Sequence, residues 1–333
     1  MPGETVLSQP PKEIRAELAV LAKRLDTDVP RKRERKNVLV GTWNIRAFGD
    51  LNEAWRAPHG AKPPRDLESL RCIAEIVSRF DVMAIQEVKG NIKALRHLLK
   101  ALGPSWSFIL TDVVKSTAGN YERLAFVFDT DRANLSGLAC ELVVPRKWAR
   151  KIGADLIDEQ FARTPYAVSF LAGDQTFILV TLHVRYGKAP QRAGELKAIA
   201  HWLKDWARET NDFHQNLMVL GDFNIDREDD PNGRAFRSTG LRPPAQLDGL
   251  TRTIFEKPGA PDKAKYFDQI AWFAGDRKAD LTMPLLAAGR FDFMDVALPY
   301  LGDATANEKN KTDKSFRISD HFPLWAEFST DVG

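Results

Sequence analysis

The chain has 333 residues, 44% of them hydrophobic and 28% charged, with a formal net charge of +3. That composition excludes a collagenous or intrinsically disordered chain and fits a globular protein of one large or two smaller domains. The mild positive charge permits an anionic partner without requiring one.

Nothing near the N-terminus forms the apolar core of a signal peptide, and no apolar run is long enough to span a bilayer, so no stable membrane association is expected. Cys72 and Cys140 lie in apolar contexts and are expected as buried thiols, which makes the chain read as cytoplasmic and reduced. Residues 1–10 are expected to be disordered. From Pro11 to Leu25, the apolar Ile14, Leu18, Leu21 and Leu25 fall at helical spacing and predict an accessory helix. Arg31–Lys36 reads as a basic, solvated connector. Residues 1–36 therefore form an accessory segment and 37–330 the main domain.

Val38–Asn44 predicts a strand ending in a polar residue, followed by a loop over 47–65 and a helix from Asp66 to Arg79. Asp81–Glu87 is a second apolar strand with an acid at its end. A helix follows from Ile92 to Leu102, then strands at Phe108–Thr111 and Arg123–Phe128. The segment 145–160 carries no clear pattern. Tyr166–Leu171 and Thr176–His183 read as a hairpin. A helix from Gln191 to Arg208 carries a core stripe of Leu196, Ile199, Trp202, Leu203 and Trp206. Leu217–Leu220 is a short apolar strand running into Gly221-Asp-Phe-Asn224. An acid- and Arg-rich loop is expected at 225–234, a strand at Tyr266–Phe273, and a Lys-rich surface loop at 302–317. Ser319-Asp-His-Phe-Pro323 leads into a last strand, Leu324–Phe328. Hairpins are too frequent for a simple parallel sheet, and the pattern predicts a four-layer α/β/β/α sandwich of two packed mixed sheets with outer helices.

Functional side chains recur where these strands end: Asn44, Glu87, His183, Asp222 with Asn224, Asp268, and Asp320 with His321. Singly, each has a plain structural reading as a turn former, an ion-pair partner or a satisfied core histidine. Their recurrence at one kind of position is what that reading leaves unexplained, because open α/β sheets place ligand sites at strand ends. Oxygen donors dominate the set, which suits Mg²⁺ or Mn²⁺ over zinc. A cation with an acid and a base beside it is the equipment of phosphodiester hydrolysis.

Six motifs in order, Thr42-Trp-Asn44, Ile85-Gln-Glu87, Leu182-His183, Gly221-Asp-Phe-Asn224, Asp268-Gln-Ile270 and Ser319-Asp-His-Phe-Pro323, resemble those of the endonuclease/exonuclease/phosphatase superfamily, most closely its deoxyribonuclease I-like branch. The resemblance spans residues 38–328. It implies a divalent-metal-dependent endonuclease acting on nucleic acid, with DNA as the first candidate. Glu87 would bind the cation, helped by Asn44 and Asp320. Glu122 would orient His183, and Asp268 would orient His321. Asp222 and Asn224 would position the nucleophile. Arg163 would hold a phosphate oxygen, with Asn44 beside it.

Two other readings stand beside this one. A phosphoesterase of the same fold acting on an inositol phosphate or phospholipid headgroup would share every motif. The basic residues Arg46, Arg56, Lys62, Arg65, Arg185, Lys188, Arg192, Lys309, Lys311 and Lys314 are expected on loops facing an extended polyanion, but they also suit a multiply phosphorylated small molecule. A catalytically inactive binding protein on this scaffold would be expected to lack one or more of these catalytic residues.

Overall fold

The computed structural model describes residues 5–113, 120–143, 163–184, 189–208, 216–256, 265–275, 279–302 and 307–331. The unassigned segment 145–160, together with Arg185 and Lys188, lies outside the described residues.

Strand β1 (Asn37–Phe48) shows how the layers arise. Its side chains alternate across the sheet. Val38 and Val40 enter one apolar core, while Leu39, Trp43 and Ile45 enter another. The same alternation in β2 (Val82–Lys89) sends Val82 and Ala84 one way and Met83 and Ile85 the other. The remaining strands are β3 (Trp106–Leu110), β4 (Glu122–Asp129), β5 (Asn134–Glu141), β6 (Tyr166–Ala172), β7 (Gln175–His183), β8 (Leu217–Ile225), β9 (Leu241–Arg242), β10 (Tyr266–Phe273), β11 (Leu285–Arg290) and β12 (Leu324–Ser329). Among the described residues they form two six-stranded sheets, in the orders β11-β12-β1-β2-β4-β3 and β5-β6-β7-β8-β10-β9. Only β1–β2 and β7–β8 pair in parallel; the other neighbours are antiparallel.

A central core lies between the sheets, where Val40, Ala84 and Phe126 of the first meet Phe170, Leu179 and Leu220 of the second. Helices cover the outer faces. On the first sheet lie α1 (Lys12–Asp28), α2 (Leu67–Val77) and α3 (Lys93–Leu102). On the second lie α4 (Ala189–Ala207) and α5 (Pro231–Arg237), with Leu196, Ile199 and Leu203 packed against Val180 and Val219. This is the expected four-layer sandwich. The two parallel pairs arise because α2 and α4 are the crossovers a parallel connection needs.

Several local expectations are corrected. Residues 5–8 form a turn, with Ser8 N–H donating to Thr5 O at 2.9 Å and Val6 buried in the first core. The connector at 31–36 is not simply solvated: Lys32 pairs with Asp129 at 3.1 Å and Arg33 with Glu327 at 2.7 Å. Residues 308–317 are a helix, α6 (Glu308–Arg317), where a loop was expected; the Asn307 side chain caps it by accepting from Lys309 N and Asn310 N. Residues 231–234 open α5, capped by Asp230. Cys72 is buried but Cys140 is only partly so, and both are free thiols. Of the described loop cations, Arg65, Arg192, Lys311 and Lys314 are buried, and Arg56 is held by Glu17 and Glu68. They are structural, not presented to a polyanion. Among the described residues no helix is long and apolar enough to cross a membrane.

Candidate active site

Register in the second sheet brings three predicted residues into one row. Parallel pairing of β7 with β8 sets His183 beside Asp222, and antiparallel pairing of β8 with β10 sets Asp268 on the other side of Asp222. Gly221 makes this possible. Its φ is +139°, and a Cβ there would meet Leu182 O at 2.0 Å, so only glycine lets β8 approach β7 at this point. Phe223 turns away into the outer core, where it meets Phe236 edge-on.

In the first sheet, Asn44 pairs in register with Gln86, and the β1–β2 and β2–β4 ladders both slip beside Glu87. Bulges re-aim side chains. Glu87 itself has φ +61°, an uncommon left-handed backbone for a long side chain. Ala47 N–H donates to Glu87 Oε2 at 2.9 Å. The Asn44 amide nitrogen lies 3.2 Å from Glu87 Oε1 and 3.0 Å from Asp222 Oδ2. Asn44 thus stitches the two sheets together across the site.

The buried Glu122 is a hub. Its Oε1 accepts from Lys89 Nζ at 2.8 Å and Asn120 Nδ2 at 2.6 Å, and its Oε2 accepts from Arg163 Nε at 2.6 Å. His183 Nδ1 stands 3.3 Å from the same Oε2, and its Nε2 stands 3.5 Å from Asp222 Oδ2. Burial alone would raise the Glu122 pKa. His183, Arg163 and Lys89 outweigh it and hold the carboxyl at about 2. The second dyad is tighter, with His321 Nδ1 2.6 Å from Asp268 Oδ2. Burial works against a charged imidazole there, but the charge and hydrogen bond of Asp268, then Asp222 and Asp320, hold His321 well above its usual range. Asp268 is itself raised by burial, and His321 pulls it back. Trp43 Nε1–H donates to His321 O at 2.8 Å, and Ser319 Oγ accepts from His321 N while donating to Asn44 O at 2.6 Å.

The structure therefore brings Asn44, Glu87, Glu122, His183, Asp222, Asp268 and His321 together. The remaining three stand differently. Asn224 has φ +49° and donates its amide to Val184 O at 2.7 Å. Arg163 is committed to Glu122 through Nε, while among the described residues its buried Nη1 has no hydrogen-bond partner. The Asp320 carboxylate lies 3.6 Å from Arg46.

Two arginines sit behind the site without any conspicuous motif. Arg65 is fully buried and donates to the carbonyls of Arg46, Ala47, Arg317 and Ile318, tying the end of β1 to the segment before Asp320. Arg252 donates to Asp268 O at 3.0 Å, and its own carbonyl accepts from Phe322 N at 2.9 Å. From the sequence, Arg65 counts as a loop cation and Arg252 is not singled out; nothing in their sequence neighbourhood marks either as buried.

Among the described residues, no three His, Cys, Asp or Glu side chains converge as a metal cage. The oxygen set nevertheless fits a hard cation. Among the described residues the buried Asn44 Oδ1 has no hydrogen-bond partner, while the amide nitrogen of the same side chain reaches Glu87. Mg²⁺ keeps most of its waters and needs only one or two protein oxygens.

A family model described as the Endonuclease/Exonuclease/phosphatase family matches residues 41–321. Similar solved structures include a mannosyl-6-phosphatase of Bacteroides thetaiotaomicron, at 17% identity and TM-score 0.55, covering 87% of this chain and 99% of that one. The human Nocturnin catalytic domain with bound sulfate is 15% identical with TM-score 0.56, covering 89% and 94%. TDP2 of D. rerio, complexed with single strand DNA product, is 12% identical with TM-score 0.53, covering 88% and 98%. At such identities the likeness shows the fold alone. No curated protein matches the chain by sequence.

Proposed function

The chain belongs to the Endonuclease/Exonuclease/phosphatase family, and on that premise we propose that it is a Mg²⁺- or Mn²⁺-dependent phosphodiesterase that cleaves nucleic acid internally, with DNA as its first substrate. The observation that carries this reading is the pair of carboxylate–histidine dyads, Glu122–His183 and Asp268–His321, set on either side of Asp222. Hydrolysis needs one group to take a proton from water and another to return one to the leaving oxygen. Two oriented imidazoles supply that pair.

Glu87 and Asn44, with Asp320 nearby, would hold the cation. The cation, when bound, neutralises charge on the phosphoryl oxygens. Asp222 and Asn224 position the attacking water. As its oxygen bonds to phosphorus, the bond to the leaving oxygen breaks; one imidazole accepts the proton of the water and the other protonates the leaving group. Asp268 fixes the tautomer of His321 through Nδ1 and leaves its Nε2 for the substrate, while Glu122 faces His183 Nδ1 at 3.3 Å and orients that ring. Arg163, anchored by Glu122, retains an N–H for a phosphate oxygen. Residues 37–330 form the catalytic unit, with 1–36 as an accessory segment. The free thiols of Cys72 and Cys140 agree with a cytoplasmic setting.

One observation favours a second reading, a small phosphorylated substrate. Arg65, Arg192, Lys311 and Lys314 are buried, which removes much of the basic loop surface expected for a polyanion. Incubation with plasmid DNA, single-stranded DNA, RNA and inositol phosphates, each with Mg²⁺, Mn²⁺ or EDTA, separates the two. Metal-dependent nicking of the plasmid is expected. Turnover of inositol phosphates with every nucleic acid left intact would transfer the assignment to the second reading.

A further inference from the structure

Arg46, Lys62 and Lys309 stay at least partly exposed, but a denser run of positive charge follows β2. From Val88 to Thr111 the sequence contains no Asp or Glu, but it contains Lys89, Lys93, Arg96, His97 and Lys100. The last four lie on α3 at spacings of three, one and three residues, which puts them on one face of the helix. The opposite face, Ala94, Leu95 and Leu98, is buried in the first core.

This arrangement works against the helix itself. Its first turn has no acid, Lys93 stands at its first position, and Ile92 provides no side-chain cap. A cation there opposes the helix dipole. Like charges three and four residues apart repel, and Lys100 and Lys93 both lower the pKa of His97, after burial as the first cause. Of the four on α3, Lys93 pairs with Glu53 at 3.0 Å, whereas among the described residues Arg96 and Lys100, both exposed, form no ion pair. An ordinary solvated face would interleave acids to relieve this. A face that keeps uncompensated cations at the expense of helix stability is built for an external anion.

Its placement names the kind of anion. β2 delivers Glu87, and a short turn from Gly90 leads directly into α3. The first turn of α3 is tied to the loop leaving β1: Ala94 N–H donates to Gly49 O at 2.8 Å, and Lys93 Nζ to Leu51 O at 3.0 Å. That loop follows directly on Ala47 and Phe48 at the end of β1, and Ala47 N–H donates to Glu87. The stripe therefore starts at the mouth of the candidate site and runs outward. From Lys93 to Lys100 it extends ~10 Å, the axial length of about three phosphates along one strand. Asn91, Ile92, Lys93, Arg96, His97 and Lys100 line a shallow groove of about 440 Å³.

We propose that the exposed face of α3 is a polynucleotide-backbone track, on which Arg96 and Lys100 hold the phosphates of a strand that continues beyond the scissile bond. This deepens the proposed function and rests on it for the identity of the substrate. A substrate with a single phosphoester would not reach the track.

The test compares the full chain with its R96E/K100E variant. Both residues are exposed and outside the catalytic set, and the variant's melt against parent verifies folding. Binding of a fluorescent 20-nucleotide single strand is measured in EDTA over a salt series. Hydrolysis of plasmid DNA and of bis(4-nitrophenyl) phosphate is measured with Mn²⁺. The variant is expected to bind the oligonucleotide at least ~10-fold more weakly, with a salt slope smaller by about 2. Its KM for DNA should rise, while turnover of the small ester stays at the parental value. Equal oligonucleotide affinity and salt slope in parent and variant would overturn the track. So would an oligonucleotide that does not bind the parent at all, including the case in which anionic vesicles bind in its place. If the oligonucleotide binds through the track but no DNA is hydrolysed, the nuclease reading fails and the track stands.

Discussion

Replacing Gly221 with alanine tests whether the row His183–Asp222–Asp268 depends on the close approach of β8 to β7. The added Cβ would lie 2.0 Å from Leu182 O and 3.0 Å from Leu182 N and C, all backbone atoms that cannot swing aside. The strands must part by more than ~1 Å before ordinary contact is restored. Alanine at a φ of +139° costs a further ~1–3 kcal/mol. Parting also weakens the ladder where Leu182 meets Gly221 and His183 meets Asp222, at ~1 kcal/mol for each backbone hydrogen bond lost. Together these give a destabilisation of ~3–5 kcal/mol, a large share of a typical domain's stability. Urea unfolding followed by fluorescence measures it, and a thermal melt should show Tm lower by ~6–15 °C. At a temperature where G221A is still folded, turnover should also fall, because Asp222 and His183 are displaced from each other. A variant within ~1 kcal/mol of parent would refute the claim that glycine is required here.

Asp268→Asn should retain the fold but leave His321 without its carboxylate, lowering kcat by ~10²-fold or more as measured by plasmid nicking. Trp43→Phe removes the hydrogen bond to His321 O and should reduce kcat more than it raises KM, at a cost in stability of ~1 kcal/mol measured in urea. Glu122 has a folded pKa of about 2, below its unfolded value near 4.5. Its contribution is therefore complete above pH 4.5 and is lost as the pH falls towards 2. Chemical unfolding across that window should show a steeper acid loss in the parent than in Glu122→Gln.

Most of the sandwich was legible because its central strands are apolar runs bounded by turns. The strands that escaped notice are β5, β9 and β11. β5 alternates exposed and half-buried residues, β9 has two residues, and β11 is a small, Ala-Gly-containing segment at a sheet edge. Helix α6 was missed for a different reason. Its buried residues are Lys311, Lys314, Ser315 and Arg317, so it has no apolar stripe to reveal its period. Its cations are buried along their stems, with the polar tips bonded to carbonyls such as Met294 O and Ala57 O. The same habit misled the reading of Arg56, Arg65 and Arg192.

The site residues were legible as polar groups at strand ends, but their pairing was not legible from spacing. Glu122 is on β4 of the first sheet and His183 on β7 of the second, so their contact exists only once the sheets are packed. That pair was expected through family resemblance alone. The turn of Glu87 depends on register slips in two ladders, which no local pattern announces. Arg65 and Arg252 act through backbone carbonyls, partners that every residue possesses and that leave no trace in sequence.

The central claim is that the two dyads share one hydrolytic reaction, and the most direct measurement is metal-dependent plasmid nicking by His183→Ala and His321→Ala, each beside its own melting curve. Each variant should melt as a folded protein and cleave at least ~10²-fold more slowly than the parent. A folded variant of either kind that nicks DNA at the parental rate would contradict the account.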